Sequence, residues 1–440
     1  MLDIKQVRRD PDGVAAALER RGQQGLAASV RAVADRDRER RGALGRVNEL
    51  KALRNRVSKE IGAARRAGGD ATAEIARMRE VGASIGELDA VVASADAWIA
   101  ETLAVIPNIP DPRVPEGGVE ANRVVRRWGT PAEFDFVPRP HWELGESLGI
   151  LDLPGGVRVA GSGFFVLQGR GAALQRGLIN WMIGLHATEH GYSELRVPYL
   201  VREESMTGTG QLPKFAEESY VTQRDGLWLI PTAEVPVTNL HRGEILTGDS
   251  LPRKYVAYSP CFRREAGAAG KDTRGMLRVH QFDKVELVRF ERPRSAASAL
   301  EELTGEAGRI LELLGLPYRV VLLAAGDLGF SATLTYDLEV WAPGVRQWLE
   351  VSSCSTFGDY QARRAGIRFR RSQSAGTEFV HTLNGSALAL PRLMVALLET
   401  CQRPDGSICL PEVLGRTLGF TGIAPGDTAL GRSSGGSAEP

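Results

Sequence analysis

The sequence predicts an α+β protein, a long antiparallel α-helical hairpin followed by a domain of mixed helices and strands. Three observations carry that expectation. Between about Leu26 and Ala104 apolar residues recur at three-and-four spacing, broken once by a glycine turn. From about residue 120 the pattern changes, and helical faces alternate with short strand-like runs. Ser259 to Glu286 then reads as strand, long glycine-rich loop, strand.

A chain of 440 residues has room for two or three domains and a substantial core. With 43% apolar and 25% charged residues it is ordinary for a globular protein. The formal charge of +1 means that any nucleic-acid contact must come from local patches and not from bulk charge. Cys261, Cys354, Cys401 and Cys409 lack CxxC spacing, which argues against a zinc site or a disulfide framework and for a reducing cytoplasm. The opening MLDIKQVRRD has no signal-peptide apolar region, and no apolar run approaches 18 residues, so no membrane span is expected.

Taken in order, Asp10-Pro11-Asp12 supplies a cap and a first-turn proline ahead of VAAALERR, so residues 1–25 read as a helical lead-in. In the hairpin, Val30, Val33, Leu44, Val47, Val57 and Ile61 mark one limb, and Ile75, Met78, Ile85, Val92 and Ile99 the other. Asp37 and Arg40 interrupt the seam. Each limb would span roughly 50 Å at the helical rise. Gly42, Gly45, Gly62, Gly82 and Gly86 each weaken their helix by about 0.5–1 kcal/mol, so packing between the limbs has to carry them. Residues 26–66 hold 12 Lys or Arg against 5 Asp or Glu, and residues 67–104 hold 2 against 7. That contrast suits ion pairing between the limbs, and a basic surplus on the first limb also suits a phosphate backbone. Pro107, Pro110, Pro112 and Pro115 end the hairpin.

In the second domain Leu174, Leu178, Trp181 or Met182, and Leu185 share a helical face, followed by the strand-like YSELRVPYLV with Pro198 inside it. LWLIPTAEVPVTNL carries Thr232, Ala233 and Glu234. In the strand–loop–strand, Arg263 and Glu265 are expected on one face, as are Phe282, Lys284 and Glu286 on the returning strand. The residues from Ala266 to Leu277 are too many for a tight hairpin and include three glycines, Lys271, Asp272 and Arg274. Long charged loops within domains are usually functional. A guanidinium can fork onto phosphate or carboxylate, an aromatic can stack on a base, and two carboxylates can grip an ammonium or an adenine amine. A solvated hairpin tip would have the same composition. A helix over 295–315 and a hairpin turning at Pro343-Gly344 follow. Strict alternation puts Glu350 and Ser353 on opposite faces, so the strand must bulge or end between them if both serve one site. FVHTLNGSALALPRLMVALLET reads as a strand placing Thr382, Asn384 and Ser386 on one face, then a helix headed by Arg392. Residues from 419 to 440, rich in Gly and Ser, are expected to be a flexible tail.

The string FRREAGAAGKDTRG with HQFDKVE resembles motif 2 of the class II aminoacyl-tRNA synthetases, and within them the bacterial-type seryl-tRNA synthetases. The helix, strand and Pro198 resemble motif 1. Thr232-Ala233-Glu234 resembles the element that holds the amino acid, and the stretch ending at Arg392 resembles motif 3. Ala387 and Pro391 depart from that motif's glycine-rich pattern. Pro391 suits a first helical turn, whereas Ala387 adds a methyl where a glycine would let substrate approach. The resemblance spans roughly residues 1–418.

It implies a tRNA-binding domain at 1–110 with its coiled-coil arm at about 26–104, and a class II catalytic domain at 111–418 built on an antiparallel sheet flanked by helices. It also implies a cytoplasmic homodimer that joins L-serine to ATP and charges tRNA(Ser), with tRNA(Sec) a further option. Arg263 would bridge the serine carboxylate and the α-phosphate, and Arg263, Glu350 and Arg392 would be the catalytic residues. Thr232, Ala233, Glu234, Glu286, Asn384 and Ser386 would hold serine, with Glu234 on the ammonium. Arg263, Arg264, Glu265, Val279, Phe282, Glu350, Val351, Ser352, Ser353 and Arg392 would bind ATP, with Glu265 and the backbone near Val279 reading the adenine, Phe282 stacked on its face, Arg392 on the γ-phosphate, and Glu350 to Ser353 lining the ATP and magnesium site. Glu350 and Ser353 would hold Mg2+, whose preference is for few oxygen ligands, and no zinc is implied. A specialised paralogue, serving a biosynthetic pathway or resisting a serine-mimicking inhibitor, stays open because of Ala387 and Pro391. So do a non-catalytic RNA-binding relative and, less well supported, an amino acid–carrier-protein ligase.

Overall fold

Asp10 both ends the first helix and starts the second. Its side chain accepts from the Gly13 N–H at 2.9 Å, which caps α2 (Pro11–Glu19) just beyond α1 (Ile4–Arg9). The computed structural model describes residues 1–266 and 274–427, which fall into two compact units, Met1–Ile109 and Pro110–Pro440. Lys271 and Asp272 of the charged loop, and the tail beyond residue 427, lie outside the described residues.

In the first unit α3 (Leu26–Arg66) and α4 (Thr72–Val105) form the hairpin. Val30, Val33, Val47 and Leu50 are buried along α3, and Ile85, Ala95, Ile99 and Leu103 along α4. Leu44 is 36% exposed, and Val57 and Ile61 are only half-buried, because a two-helix rod has one interface and leaves its flanks to solvent. Near the start of α3, α1 and α2 cover a further face, and Val30 and Val33 are fully buried there. Asp37 does not interrupt the packing as its charge suggested. It is 1% exposed and accepts from Arg8 Nε at 2.8 Å, Arg8 Nη2 at 3.0 Å and Arg41 Nε at 3.0 Å, so it ties α1 to α3. Arg40 pairs with Asp96, and Lys51 with Asp89 at 3.2 Å. The charge contrast between the limbs is therefore used at least partly across the hairpin.

In the second unit, eight strands among the described residues form one sheet. They are β1 (Arg123–Trp128), β2 (Ser193–Leu195), β3 (Arg253–Phe262), β4 (Gln281–Glu291), β5 (Tyr318–Leu322), β6 (Leu334–Ala342), β7 (Gln347–Gly358) and β8 (His381–Ala389). Their spatial order is β1-β5-β6-β7-β8-β4-β3-β2. Every pair is antiparallel except the edge pair β2–β3. The expected strand through YSELRVPYLV is split. β2 ends at Leu195, and the short strand Leu200–Val201 pairs elsewhere, with Pro198, which lacks an N–H for a ladder, in the gap.

The helices that bear on the site are α5 (His141–Ser147), α6 (Gly169–Thr188), α7 (Glu234–Asn239), α8 (Ala296–Leu313), α9 (Tyr360–Ala365) and α10 (Leu390–Thr400). Leucines of α6, α8 and α10 share one core with Val285, Leu287, Leu338, Cys354 and Leu383 of the sheet. Gly385 shows how close the approach is: a Cβ there would lie 2.2 Å from Leu303 Cδ2 of α8. Alternation sends the intervening residues of β4, β7 and β8 to the other face, where the cleft lies. The stretch from 419 is not wholly tail. Gly422–Ile423 pairs with Ile408–Cys409, and Arg170 Nη1 reaches Asp427 Oδ2 at 2.6 Å, so backbone pairing and a charge hold it to residue 427.

Replacing Asp37 with Ala is expected to lower stability by about 2 kcal/mol, the range for hydrogen bonds to a charged group. Urea unfolding followed by far-ultraviolet dichroism measures this, and an unchanged midpoint would remove Asp37 as the tie between α1 and α3.

Candidate active site

The cleft depends on two irregularities in the sheet. Opposite β6, Leu338 faces Ser352 but Glu339 faces Glu350, so Val351 is an extra residue in β7. This is the bulge that the Glu350–Ser353 spacing demanded, and both side chains line the cleft. Between β8 and β4, Ser386 faces Glu286 and Ala389 faces Lys284, so Ala387 and Leu388 together oppose one residue. Leu388 takes φ 103° there, a strained value for a branched side chain. Plain alternation from Ser386 sends Ala387 to the core, where it is fully buried, and the bulge sends Leu388 there as well. The expected obstruction of substrate by its methyl is thereby corrected, while Pro391 does line the cleft.

The cleft holds about 590 Å³, within the range of small-molecule sites. Thr232, Glu234, Arg263, Glu265, Val279, Phe282, Glu350, Val351, Ser353, Asn384, Ser386 and Arg392 all border it. Four expected residues do not. Ala233 is buried in a neighbouring apolar cluster. Arg264 turns its Nη1 to the Glu217 carbonyl at 2.9 Å. Ser352 is buried and donates from Oγ to the Ser386 carbonyl at 2.6 Å. Glu286 is fully buried beneath the floor and reaches the cleft through its partners.

At one end of the cleft lies a buried polar cluster. Asn384 Nδ2 donates to Glu234 Oε2 at 3.1 Å and to Glu286 Oε1 at 3.0 Å. Gln361 Nε2, from α9, donates to Glu234 Oε1 at 2.5 Å, and Thr382 Oγ1 donates to Gln361 Oε1 at 2.6 Å. Lys284 pairs with Glu286, both nearly or wholly out of solvent. Burial, and then the neighbouring Glu286, push the Glu234 carboxyl up to about 7. Gln361 and Lys284 were not singled out as site residues. Lys284 could have been found from its place between Phe282 and Glu286 on one face of β4, but Gln361 carries no local signal.

At the other end, β3 stops at Phe262, so Arg263 and Glu265 lie beyond the strand and the expected alternation does not place them. Glu265 has φ 51° and accepts from Arg278 Nη1 at 2.8 Å. The Arg263 guanidinium sits 5.0 Å over the Phe282 ring. Arg392, near the start of α10, donates from Nε to the Leu277 carbonyl at 3.2 Å and from Nη1 to the Glu350 carbonyl at 3.0 Å. Asp337 of β6 lies opposite Ser353 of β7 in the ladder. Burial, and then Glu350, raise the Asp337 carboxyl well above its ordinary range, and its Oδ1 is buried with no hydrogen-bond partner.

Known proteins match this chain over most of its length. Residues 1–110 match the seryl-tRNA synthetase N-terminal domain, and residues 218–401 match the tRNA synthetase class II core domain (G, H, P, S and T). A serine--tRNA ligase of Gemmatimonas aurantiaca is 53% identical over 94% of this chain and 98% of its own length. One from Pelotomaculum thermopropionicum is 52% identical over 95% and 99%. Among solved structures, seryl-tRNA synthetase from Pyrococcus horikoshii complexed with ATP superposes with a TM-score of 0.93 at 37% identity, covering 97% of this chain and all of that one.

The raised Glu234 carboxyl sets a pH dependence. The folded state holds that proton more tightly than the unfolded state, whose ordinary value is 4.5. The contribution to stability is therefore full below that value and is lost as pH rises to about 7. Relative to Glu234→Gln, the stability of the unaltered protein should fall through this window and level off above it. Unfolding midpoints of both proteins across the window test this, and parallel curves would show that Glu234 is not perturbed.

Proposed function

The chain belongs to the seryl-tRNA synthetase family, and on that premise we propose how its cleft joins L-serine to ATP and passes the seryl group to the 3′ end of tRNA(Ser). One observation carries the reading. A small, buried, carboxylate-rich pocket opens beside an arginine, and the same cleft carries a second arginine and a β-bulge that presents Glu350 and Ser353 together.

In the first step a serine carboxylate oxygen attacks the α-phosphorus of ATP in line and pyrophosphate leaves. No side-chain nucleophile is required, so the protein's task is positioning and charge neutralisation. Arg263 bridges the carboxylate and the α-phosphate, giving up its place over Phe282 to the adenine ring. Glu265 and the backbone at Val279 read the adenine edge. Glu234, ionised, takes the serine ammonium. Ser386 and Asn384, with Glu286 held behind Asn384, bind the hydroxyl. A pocket that hydrogen-bonds a substrate hydroxyl strongly rejects the analogue lacking it, so alanine is excluded by chemistry and threonine by size. In the second step the terminal ribose hydroxyl of the tRNA attacks the seryl carbonyl and AMP leaves.

Arg392 exchanges its Glu350 contacts for the γ-phosphate. Glu350 and Ser353 are the oxygens that hold Mg2+, and the partnerless buried oxygen of Asp337 beside Ser353 fits a site that expects positive charge. When bound, the ion neutralises phosphate charge. Among the described residues no group of three or more His, Cys, Asp or Glu forms a cage, which suits an ion held largely by its substrate. A homodimer would form through the edge at α6 and β2, where Ile179, Ile183 and Leu195 share a groove with Arg176, Asn180, Glu194 and Arg196. No described helix is long and apolar enough to cross a membrane. The paralogue alternative loses one of its two motives, since Ala387 faces the core.

The hairpin of α3 and α4 binds tRNA in this reading. Arg54, Arg56, Lys59, Arg65 and Arg66 stand exposed along the far half of α3 with no ion pair among the described residues. Such contacts are to phosphate and shape and weaken as salt rises.

Arg263→Ala should abolish serine-dependent ATP–pyrophosphate exchange while leaving the melting temperature within a few degrees, and near-normal exchange would sink the assignment. Deleting residues 30–100 and closing the gap with a short glycine linker should leave exchange largely intact but cripple charging of serine tRNA. Equal loss in both assays on one preparation would mean that the arm supports the catalytic fold and does not bind tRNA.

A further inference from the structure

Behind the nucleotide end of the cleft lies a buried node that touches none of the proposed ligand groups. His141, at the start of α5, and Glu399, near the end of α10, are both fully buried. The Glu399 carboxylate collects four N–H groups. On Oε1 these are the His141 backbone N–H at 2.9 Å and His141 Nδ1 at 2.9 Å. On Oε2 they are the backbone N–H groups of Gly344 at 2.8 Å and Val345 at 3.0 Å, in the turn between β6 and β7. The other ring nitrogen of His141, Nε2, faces the backbone N–H of Met276 at 3.0 Å. A backbone N–H can only donate, so Nε2 must accept, and the ring proton is on Nδ1. The imidazole is thus neutral, and its tautomer is set from both sides.

The position of this node gives it a role. Met276 begins the segment Met276–Val279, which walls the cleft before β4 starts. Arg392 lies on α10 seven residues before Glu399, so two turns of one helix hold this segment twice. Arg392 Nε does so directly at the Leu277 carbonyl, and Glu399 does so through His141 at Met276. The same Glu399 fixes the turn whose second strand carries Glu350 and Ser353. Space is already used up beside the ring: a Cβ on Gly275 would come within 2.1 Å of His141 Nε2. Arg274 covers Trp142 at 4.5 Å, so α5 grips the returning limb at two adjacent residues.

We propose that His141 and Glu399 are positioning residues for the nucleotide half of the active site. They act through the Met276 amide and the β6–β7 turn and touch no substrate. The inference rests on the reading of this cleft as an ATP site. The serine pocket lies on α7, α9, β8 and the part of β4 from Lys284 onward, and is not joined to this node by any of these bonds.

The test compares the unaltered protein with His141→Asn and His141→Gln. Asn keeps an amide N–H toward Glu399 but removes the acceptor for Met276. The longer Gln carries its carbonyl oxygen toward the Nε2 position. In serine-dependent pyrophosphate exchange, KM for ATP should rise about tenfold in His141→Asn while KM for serine changes less than about twofold, and His141→Gln should recover most of the loss. Hydrogen exchange should find the Met276 amide protected in the unaltered protein and at least about tenfold faster in His141→Asn, with β4 amides unchanged. Equal rises in both KM values, or kinetics and exchange unchanged in His141→Asn, would overturn the proposal. Should His141→Asn fail to fold, His141→Gln and the unaltered protein decide. A Met276 amide that exchanges as fast as exposed loop, or a folded His141→Gln with the ATP and serine KM values raised alike, overturns it. If the unaltered protein showed no serine-dependent exchange, the functional reading would fail while the hydrogen-exchange comparison still judged the node.

Discussion

Glu234 and Glu286 place two carboxylates beneath one cleft with a single amide, Asn384, between them, and the catalytic unit has to be assembled correctly for that to be tolerable. A buried charge without partners costs several kcal/mol. Here the partners arrive from separate parts of the chain: Lys284 with Glu286 on β4, Asn384 and Thr382 on β8, Gln361 on α9, Glu234 on α7. Slipping β8 by one residue against β4 would put Leu383 where Asn384 sits and take the shared amide from both carboxylates, leaving Glu286 with Lys284 alone and Glu234 with Gln361 alone. The polar cluster therefore acts as a register lock on the centre of the sheet, while the leucines behind the sheet are more tolerant of small shifts.

The same sheet has to present side chains that simple alternation would hide. Two bulges, one in β7 and one in β8, break the alternation within a few residues of each other on adjacent strands. The first brings Glu350 and Ser353 to one side. The second reorients the chain between Ser386 and α10, so that Leu388 joins Ala387 in the core while Arg392 enters the cleft. Leu388, at φ 103°, carries the local strain of that reorientation. The helix it leads into then serves as wall, arginine holder and, through Glu399, support for the opposite limb.

Much of this was legible in the sequence, and the limits have physical causes. The helical hairpin and its proline-rich end were readable because long amphipathic segments repeat their signal many times. The β7 bulge was deducible from two residues whose spacing conflicted with a shared role. Asp37 was misread as a break in the seam because its partner Arg8 lies 29 residues away on another helix. Gln361 was invisible for the same reason, being 127 residues from Glu234. Ala387 was misjudged because a motif's glycine-rich pattern was set above the alternation from Ser386, which already sends it to the core, and the first limb of the loop was misjudged because β3 ends at Phe262. For Asp37 and Gln361 a contact distant in sequence overrode a local rule.

The carboxyl of Glu234, held near neutrality while the pocket is empty, also bears on how serine binding would register in a calorimeter. An ammonium arriving beside Glu234 favours the ionised form, so the proton stored there would pass to the solvent. Near neutral pH, binding then becomes an exchange of one cation for another. The heat observed would include the ionisation enthalpy of whatever buffer accepts the proton, and would differ between phosphate and Tris even if the protein's own contacts with serine were identical.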